Sequence, residues 1–344
     1  MDIWKELKQE GVDSGLLEEV RAFRDAHPAP PEAAGRVPRP RFLYYGKEVW
    51  EGAAAALLCG EHLLLAGPKA TGKNVLAENL AAAFGRPAWD VSMYVNVDAA
   101  ALIGADTLQD GQVAFREGPV CQCARLGGFG VLDEVNMAKN EALAVLHATL
   151  DFRRVIDVPG YQRIPLDPAA RFIGTMNYGY AGTRELNEAL VSRFVVLDMP
   201  VISQENLQKL LRQGFPELKT TWVEQFSALF QDLRQKCDSG EISTKALDLR
   251  GLLSALHLME KGSPPARPWS WALSTRPLTP FGAPAGGRRG VEPHPPGTRT
   301  GAACSESEMD RQDIETRRAD NQVWNGAEDY GVRSDFHAFD PEGG

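Results

Sequence analysis

Cysteine is scarce in this sequence, and long apolar segments are missing. Five cysteines in 344 residues are too few and too scattered to form a disulfide framework, so we expect a reducing, cytoplasmic environment. No apolar run approaches the ~20 residues of a membrane span, and the charged segment 1–10 does not resemble a secretion signal. These absences predict a chain that has no membrane partner and does not depend on disulfides.

Basic residues are the minority charge. Lysine and arginine total 37 against 46 aspartates and glutamates, which gives a formal net charge of −9. A general nucleic-acid binder would carry a basic footprint, so no nucleic-acid partner is expected. The length allows two or three structural units, with a core large enough to need no disulfide or metal staples.

Lysine is absent after Lys261, and Ser263–Thr300 lacks isoleucine but holds nine of the 23 prolines. Each proline removes a backbone hydrogen-bond donor and fixes φ, so this segment shows no residue pattern typical of a helix or a strand. We expect the ordered part to end near Gly262 and residues 263–344 to be a low-complexity, disordered tail. Its bias towards Pro, Gly, Arg, Trp and Ser is typical of out-of-frame translation, and a frameshift origin is our hypothesis for it.

The remaining sequence predicts three segments. Residues 1–40 should form one or two amphipathic helices and a Pro/Ala linker. Residues 41–202 alternate apolar runs with helical stretches, which indicates an α/β fold with a parallel sheet covered on both faces. Residues 203–262 predict a small all-α domain. The expected strands are Leu63–Ala66, Ala88–Ser92, Phe129–Leu132, Phe172–Thr175 and Val195–Leu197, and the expected later helices are Gln204–Gln213, Thr221–Lys236 and Thr244–Lys261.

A glycine-rich run stands between the first expected strand and a helix expected over Asn74–Phe84. It matches G-x-x-x-x-G-K, in which backbone N–H groups and the helix N-terminus hold phosphates. Lys73 would reach the β- and γ-phosphates of ATP. The last position is usually a Ser or Thr that ligates Mg²⁺; here it is Asn74, whose amide oxygen can also be a ligand. The candidate binding residues are Gly67, Pro68, Lys69, Ala70, Thr71, Gly72, Lys73 and Asn74. The alternative is a glycine-rich turn without a ligand.

Polar residues follow two further strands. Asp133 and Glu134 end the third expected strand, and the ligands of an open α/β sheet bind at that edge. Asp133 would hold Mg²⁺ and Glu134 would deprotonate the attacking water. Asn177 ends the fourth expected strand and would hold that water or the γ-phosphate. The simpler interpretations are an acidic turn after a core strand and a turn-forming asparagine.

Four cations are candidates for contacting the phosphates. Arg193 precedes the fifth expected strand and could reach the site of a neighbouring subunit. Arg184 is a weaker candidate that could simply pair with a nearby glutamate. In the helical segment, either Lys245 or Arg250 could approach the γ-phosphate, and helical periodicity does not choose between them.

These motifs together resemble the AAA+ ATPases, and the MoxR-type, dynein-related branch in particular, over about Arg41–Gly262. The elements that carry the resemblance are Gly67–Asn74, Leu132–Glu134, Thr175–Asn177, Ser192–Phe194 and Ser243–Gly251. The resemblance implies a P-loop NTPase domain with a five-stranded parallel sheet, a helical lid, a ring that is usually hexameric, and Mg²⁺-dependent ATP hydrolysis between subunits. Asn74 departs from the family pattern, Lys245 stands where an Arg is frequent, and one lid helix is not found.

The resemblance also implies two extra hairpins, which fit Leu102–Pro119 and Arg153–Pro168, and in the family such loops face the pore or the client. Family members act as chaperone-like remodelers of partner proteins, often ones with a von Willebrand factor A domain. A ring-forming ATPase is therefore the expected function. A nucleotide-binding scaffold without turnover, favoured by Asn74 and a truncated lid, is the alternative. A P-loop kinase is less consistent with the Asp133–Glu134 pair and Arg193.

Overall fold

The computed structural model describes residues 2–109, 111–158, 160–161, 163–178, 184–241 and 249–261. The chain divides into two compact units, Met1–Pro216 and Glu217–Gly344. Lys245 and the tail expected over 263–344 lie outside the described residues, and the domain limits expected from the sequence stay predictions.

The first unit alternates helices and strands. Its helices are α1 (Ile3–Gln9), α2 (Ser14–Ala26), α3 (Lys47–Leu58), α4 (Lys73–Ala83), α5 (Ala99–Ile103), α6 (Pro119–Arg125), α7 (Asn140–Leu143), α8 (His147–Leu150), α9 (Glu188–Val191) and α10 (Gln204–Gly214). Its strands are β1 (Leu63–Gly67), β2 (Ala88–Ser92), β3 (Gly104–Gln109), β4 (Gln112–Glu117), β5 (Phe129–Asp133), β6 (Val155–Ile156), β7 (Ile164–Pro165), β8 (Arg171–Asn177) and β9 (Val195–Asp198).

In the described part of the chain, five parallel strands form the central sheet in the order β2-β5-β8-β1-β9. All five strands expected from apolar runs are confirmed, with ends that differ by at most two residues. Every residue of β1 is buried, as continuous apolar runs in a parallel sheet require. Because the strands are parallel, their carboxyl ends meet at one edge, which we call the carboxyl edge.

The amino-terminal segment packs against this unit instead of serving only as a linker. Asp2 and Asp13 cap α1 and α2 by accepting first-turn N–H groups, and Leu7 and Leu17 are buried. Residues Pro31–Arg36, expected to be linker, form a 3₁₀ helix. Helix α3 was not predicted, because its alanine-rich sequence lacks a strong stripe of large apolar residues.

Buried polar side chains occupy the opposite, amino edge of the sheet. The Arg171 guanidinium donates hydrogen bonds to the carbonyl oxygens of Leu57, Pro168 and Ala170. Burial, chiefly, lowers the pKa of Arg171 to about 10. His62 Nδ1 accepts the N–H of Phe172 at 3.0 Å. Backbone carbonyl and N–H groups at this edge are therefore satisfied by side chains, as buried polar groups must be.

Both hairpins implied by the resemblance are present. β3 pairs with β4 from Gly104 opposite Glu117 to Gln109 opposite Gln112, and β6 pairs with β7. The Tyr161 hydroxyl donates to Asp106 Oδ1 at 2.7 Å, and its ring lies 5.1 Å from that of Phe115. The second hairpin is thus fastened to the first.

The described part of the second unit is helical, as expected. It contains α11 (Thr220–Asp238) and α12 (Leu249–Glu260). The buried face of α11 includes Trp222, Phe226, Leu229 and Leu233, a spacing of three to four residues that follows the helical period. Within the described ranges, no helix combines the length and apolar character needed to cross a membrane.

Candidate functional site

A loop between β1 and α4 forms the predicted phosphate-binding turn. Ala70 and Gly72 adopt positive φ angles of 64° and 83°. The Lys73 ammonium donates to the carbonyl oxygens of Gly67 at 3.0 Å and Pro68 at 2.7 Å, and to Thr71 Oγ1 at 3.1 Å. The loop therefore wraps around a buried positive charge at the start of a helix, where first-turn N–H groups have no intrahelical partner. This arrangement is suited to anions.

Two glycines of this loop are required by close packing. A Cβ at Gly67 would lie 2.7 Å from the carbonyl oxygen of Met199, and one at Gly72 would lie 3.1 Å from the Tyr44 ring. Pro68 and Ala70 are partly exposed and Lys69 is exposed, whereas Thr71 is buried; Asn74 is exposed on the first turn of α4.

Sequence reasoning missed the support of the loop by Tyr44. The Tyr44 N–H donates to Asn79 Oδ1 at 2.9 Å, and Asn79 Nδ2 donates to the carbonyl of Phe42 at 2.9 Å. Burial, with a smaller effect from Glu48, raises the pKa of Tyr44 to about 12. The one signal in the sequence was Asn79 itself, a polar residue amid the apolar positions of α4 that is fully buried.

The acidic pair lies at the carboxyl edge, and Thr175 ties its two members together. The Thr175 hydroxyl donates to Asp133 Oδ1 at 2.6 Å and accepts the N–H of Glu134 at 3.1 Å. Glu134 has a left-handed backbone, with φ 57°, which sharply turns the chain after β5. Thr175 of the neighbouring strand β8 thereby fixes the positions of both acidic residues.

Asn177 ends β8 and contacts the same pair. Its Nδ2 donates to Glu134 Oε1 at 3.3 Å. Its carbonyl accepts Nδ2 of the buried Asn136 at 2.7 Å, a contact that sequence reasoning missed. Strand register places Asn177 opposite Gly67, the last residue of β1. The structure therefore brings Asp133, Glu134 and Asn177 to the edge from which the phosphate-binding loop starts.

Acidic residues also lie below this edge, where Asp90 occupies the middle of β2 opposite Val131. Burial raises the pKa of Asp90, and the charge of Asp133 raises it further, whereas Arg36 lowers it. The pKa of Glu78 is raised by burial and by Asp90. The edge thus concentrates negative charge beside a cationic loop, a distribution that favours a cation together with bound phosphates.

Arg193 lies at the opposite, amino edge. Val195 pairs with Leu63, so Arg193 precedes the level at which β1 begins, and β1 itself spans about 13 Å at about 3.3 Å per residue. The Arg193 guanidinium donates to the carbonyls of His147 and Ala189 and lies 3.7 Å from Asp151 Oδ2. It therefore does not join the other predicted residues within its own subunit.

The remaining candidate cations are placed differently. The Arg184 N–H donates to the carbonyl of Asn136 at 3.1 Å, so Arg184 lies near the carboxyl edge of its own subunit. Arg250 lies in the first turn of α12, in the second unit. Lys245 is outside the described residues.

Taken together, the fold and the site define a P-loop nucleotide-binding protein.

Comparison with known proteins agrees with that class. Residues 62–194 match the model of the AAA domain (dynein-related subfamily). The uncharacterized protein YojN of Bacillus subtilis is 36% identical over 211 residues, which cover 60% of this chain and 69% of YojN. An uncharacterized protein of Staphylococcus haemolyticus is 34% identical over 225 residues, which cover 64% of this chain and 86% of that protein. This chain therefore belongs to the dynein-related AAA family of nucleotide-binding ATPases.

A solved structure from Cytophaga hutchinsonii also matches, over 66% of this chain and 67% of that chain, with 17% identity and a TM-score of 0.44. This likeness is too weak to bear on function.

The residues at the carboxyl edge fit a magnesium nucleotide. Magnesium is usually held by one or two carboxylates, waters and substrate phosphates. In the described ranges, no group of three or more His, Cys, Asp or Glu side chains forms a metal cluster. Asp133, beside the cationic loop, matches the type of site in which one carboxylate and the phosphates share the ion. A bound Mg²⁺ would neutralise phosphate charge there.

Proposed function

We propose that this protein is a Mg²⁺-dependent ATPase that assembles into a ring and remodels a partner protein. The observation that carries the proposal is the hydrogen-bonded set of Asp133, Thr175, Glu134 and Asn177 at the edge where the phosphate-binding loop begins. The loop residues Gly67 to Asn74 bind the phosphates, with Lys73 at the β- and γ-positions. Asp133 and Asn74 hold the metal ion.

In this proposal Glu134 is the base that activates water. Asn177 donates to the Glu134 carboxylate, which leaves Glu134 one oriented oxygen with which to accept a proton. Asn177 senses the γ-phosphate by exchanging that contact for one to the nucleotide. A carboxylate positioned in this way typically contributes several orders of magnitude to turnover.

Arg193 acts on the nucleotide of a neighbouring subunit. The length of β1 separates it from its own phosphate-binding loop, so it can stabilise transferred charge only in another copy. Catalysis between copies supports a ring, for which the family implies six subunits.

In the lid, Lys245 or Arg250 contacts the γ-phosphate, and which of them does so stays open. The four segments 1–40, 41–202, 203–262 and 263–344 remain the proposed domain limits.

The remodelling role rests on the family. The protein would use ATP in the cytoplasm to alter a client, and a von Willebrand factor A domain protein is the proposed client. The exposed apolar residues Leu108 and Val113 face each other near the tip of the β3–β4 hairpin. Contiguous exposed apolar side chains are typical of protein-contact sites.

The test of hydrolysis compares wild type with Glu134→Gln, with Glu141→Gln in the exposed part of α7 as the matched control. ATP affinity should change less than about twofold in both variants, while Glu134→Gln should lose at least about a hundredfold in turnover. Wild-type turnover by Glu134→Gln would refute the assignment of the base.

A scaffold that binds nucleotide without turnover is the second candidate, and Asn74 is the observation that favours it. An asparagine lacks the hydroxyl that usually completes the metal site. Turnover per subunit measured against protein concentration separates the two functions. A rate that rises with concentration supports catalysis between copies, whereas no turnover at any concentration, restored by Asn74→Thr, supports the scaffold.

The client can be captured with a variant that binds ATP but does not hydrolyse it. Glu134→Gln loaded with ATP should retain the client, and a purified von Willebrand factor A domain is the probe for direct binding. Retention that requires ATP and Lys73 supports remodelling. Equal retention by Lys73→Ala would contradict it.

A further inference from the structure

We propose that the turn Asp151–Arg154, with Phe152 at its tip, is the surface through which one copy of this chain docks on the next. The occupant of this surface is a second copy, at its carboxyl edge. The inference rests on the proposed action of Arg193 between copies, and it adds the contact that delivers this arginine and the residue that positions it.

Phe152 is displayed by a turn that is held on both sides. It is 92% exposed. Asp151 accepts the N–H of Arg153 at 3.0 Å and the Arg153 guanidinium at 2.6 Å, and its carbonyl accepts the N–H of Arg154 at 3.0 Å. The Arg154 side chain donates to the carbonyl of Ala170 at 2.9 Å and to that of Asp167 at 3.2 Å. Because these hydrogen bonds fix the turn, the aromatic ring of Phe152 stays exposed and cannot pack into the core.

The same turn holds Arg193. Asp151 Oδ2 lies 3.7 Å from the Arg193 guanidinium, whose side chain is 23% exposed. Hydrogen bonds from Arg153 hold the pKa of Asp151 below its usual value, so this carboxylate is charged. Phe152 and Arg193 therefore belong to one continuous surface, joined by Asp151. A copy that receives Arg193 must also receive Phe152.

The carboxyl edge has properties that complement this surface. Met93 directly follows β2 and donates its N–H to the carbonyl of Asp133 at 2.8 Å. The next two residues, Tyr94 and Val95, are 54% and 40% exposed. Exposed apolar side chains thus lie on the Asp133 side of the carboxyl edge, where they can cover the Phe152 ring. The edge is acidic at Asp133 and Glu134, whereas the turn and Arg193 together carry an excess of positive charge. Complementary charge of this kind selects the partner and the orientation.

The two surfaces are different patches of one chain, so the contact is heterologous. A heterologous contact that repeats closes into a ring when its rotation permits. Each nucleotide site is then completed by the neighbour, which supplies Arg193 held by Asp151. Phe152 supplies the apolar anchor, a role in which aromatic residues are over-represented at interfaces.

The experiment measures self-association by sedimentation velocity with ATP and Mg²⁺, together with turnover and ATP affinity. Phe152→Glu should weaken self-association by about tenfold or more, as loss of an anchor residue does, and lower turnover per subunit by a similar factor. ATP affinity should stay within about twofold. The matched control is Ala55→Glu, which places the same charge at an exposed apolar residue of α3; it should assemble as wild type does.

Mixing provides the directional test. Phe152→Glu keeps an intact hydrolytic edge, and Glu134→Gln keeps an intact turn and Arg193. Mixed copies should therefore show turnover above that of either variant alone. A Phe152→Glu variant that assembles and hydrolyses as wild type does, or an equal loss in Ala55→Glu, would overturn the inference. If the inference is overturned but Arg193→Ala still fails to hydrolyse ATP, the proposed function stands. If wild type shows no turnover at any concentration, the proposed function itself fails.

Discussion

The hydroxyl of Thr175 donates a 2.6 Å hydrogen bond to the carboxylate of Asp133. These residues are 42 positions apart and lie on adjacent strands, β8 and β5. Because the same oxygen also accepts the N–H of Glu134, one hydroxyl orients the proposed metal ligand and the backbone of the proposed base. Partners of this kind typically change metal affinity or activity by about 10- to 100-fold when they are lost.

Thr175→Val should therefore reduce turnover by about 10- to 100-fold. Valine keeps the branched shape in the core but cannot donate to Asp133, so folding should be affected less than the chemistry. The measurement is ATPase rate over a range of Mg²⁺ concentrations, where the variant should require more metal. Thr175→Ser, which restores the hydroxyl, is the control and should recover most of the rate. Equal rates for the valine and serine variants would contradict the positioning role.

Gly72→Ala should lower both stability and nucleotide affinity. An alanine there has to adopt a left-handed backbone, which costs about 1 kcal/mol, and its Cβ would lie 3.1 Å from the Tyr44 ring. Gly111→Ala is the matched control, since Gly111 has a similar φ of 79° and the Cβ would meet no atom of the described residues within 4 Å. Urea unfolding and nucleotide titration compare the two. A loss of affinity in both variants would point to a global cause.

Arg193→Ala should abolish most turnover while leaving nucleotide affinity unchanged. Arginines that stabilise transferred phosphoryl charge contribute about 10³-fold or more, and the amino edge is too far from the phosphate-binding loop of the same copy. Arg163→Ala is the control, because Arg163 and its ion-pair partner Asp157 both have exposed side chains. Single-turnover hydrolysis is the measurement. Mixing Arg193→Ala with Glu134→Gln should restore turnover, and failure to do so would argue against action between copies.

Acidification should destabilise the fold through His62. This side chain is 3% exposed, and burial, followed by the charges of Arg154 and Arg171, lowers its pKa to about 3. The unfolded chain binds the proton near pH 6.5. The contribution to stability is thus complete above about pH 6.5 and falls progressively towards pH 3, by on the order of 2 kcal/mol between pH 7.5 and pH 5.

His62→Asn is the variant that isolates this effect. The asparagine oxygen can replace Nδ1 as the acceptor for the Phe172 N–H, and it does not titrate. Urea midpoints at pH 7.5 and pH 5 should therefore differ less in the variant than in wild type. An identical difference in both proteins would show that other groups cause the acid sensitivity.

Much of the fold followed from local patterns. Five apolar runs predicted five strands because a strand buried on both faces must be apolar throughout, and the glycine-rich loop was identifiable because its residues are contiguous. Helix α3 was missed because its core-facing residues are mostly alanines, whose pattern is weak. The support of Gly72 by Tyr44 left only the polar residue Asn79 as a signal, since it depends on a segment 28 residues away in the chain.

The scarcity of cysteine and apolar runs, the loop before α4 and the acidic pair after β5 were determined by the sequence itself, because each is a property of adjacent residues. Strand order was decided only by the tertiary structure. It inserts β8 between β5 and β1, so that Thr175 reaches Asp133 and Asn177 reaches Glu134. It also separates Arg193 from its own phosphate-binding loop and joins it to Asp151. Such relationships arise from long-range packing, in which contacts form between side chains that no local pattern links.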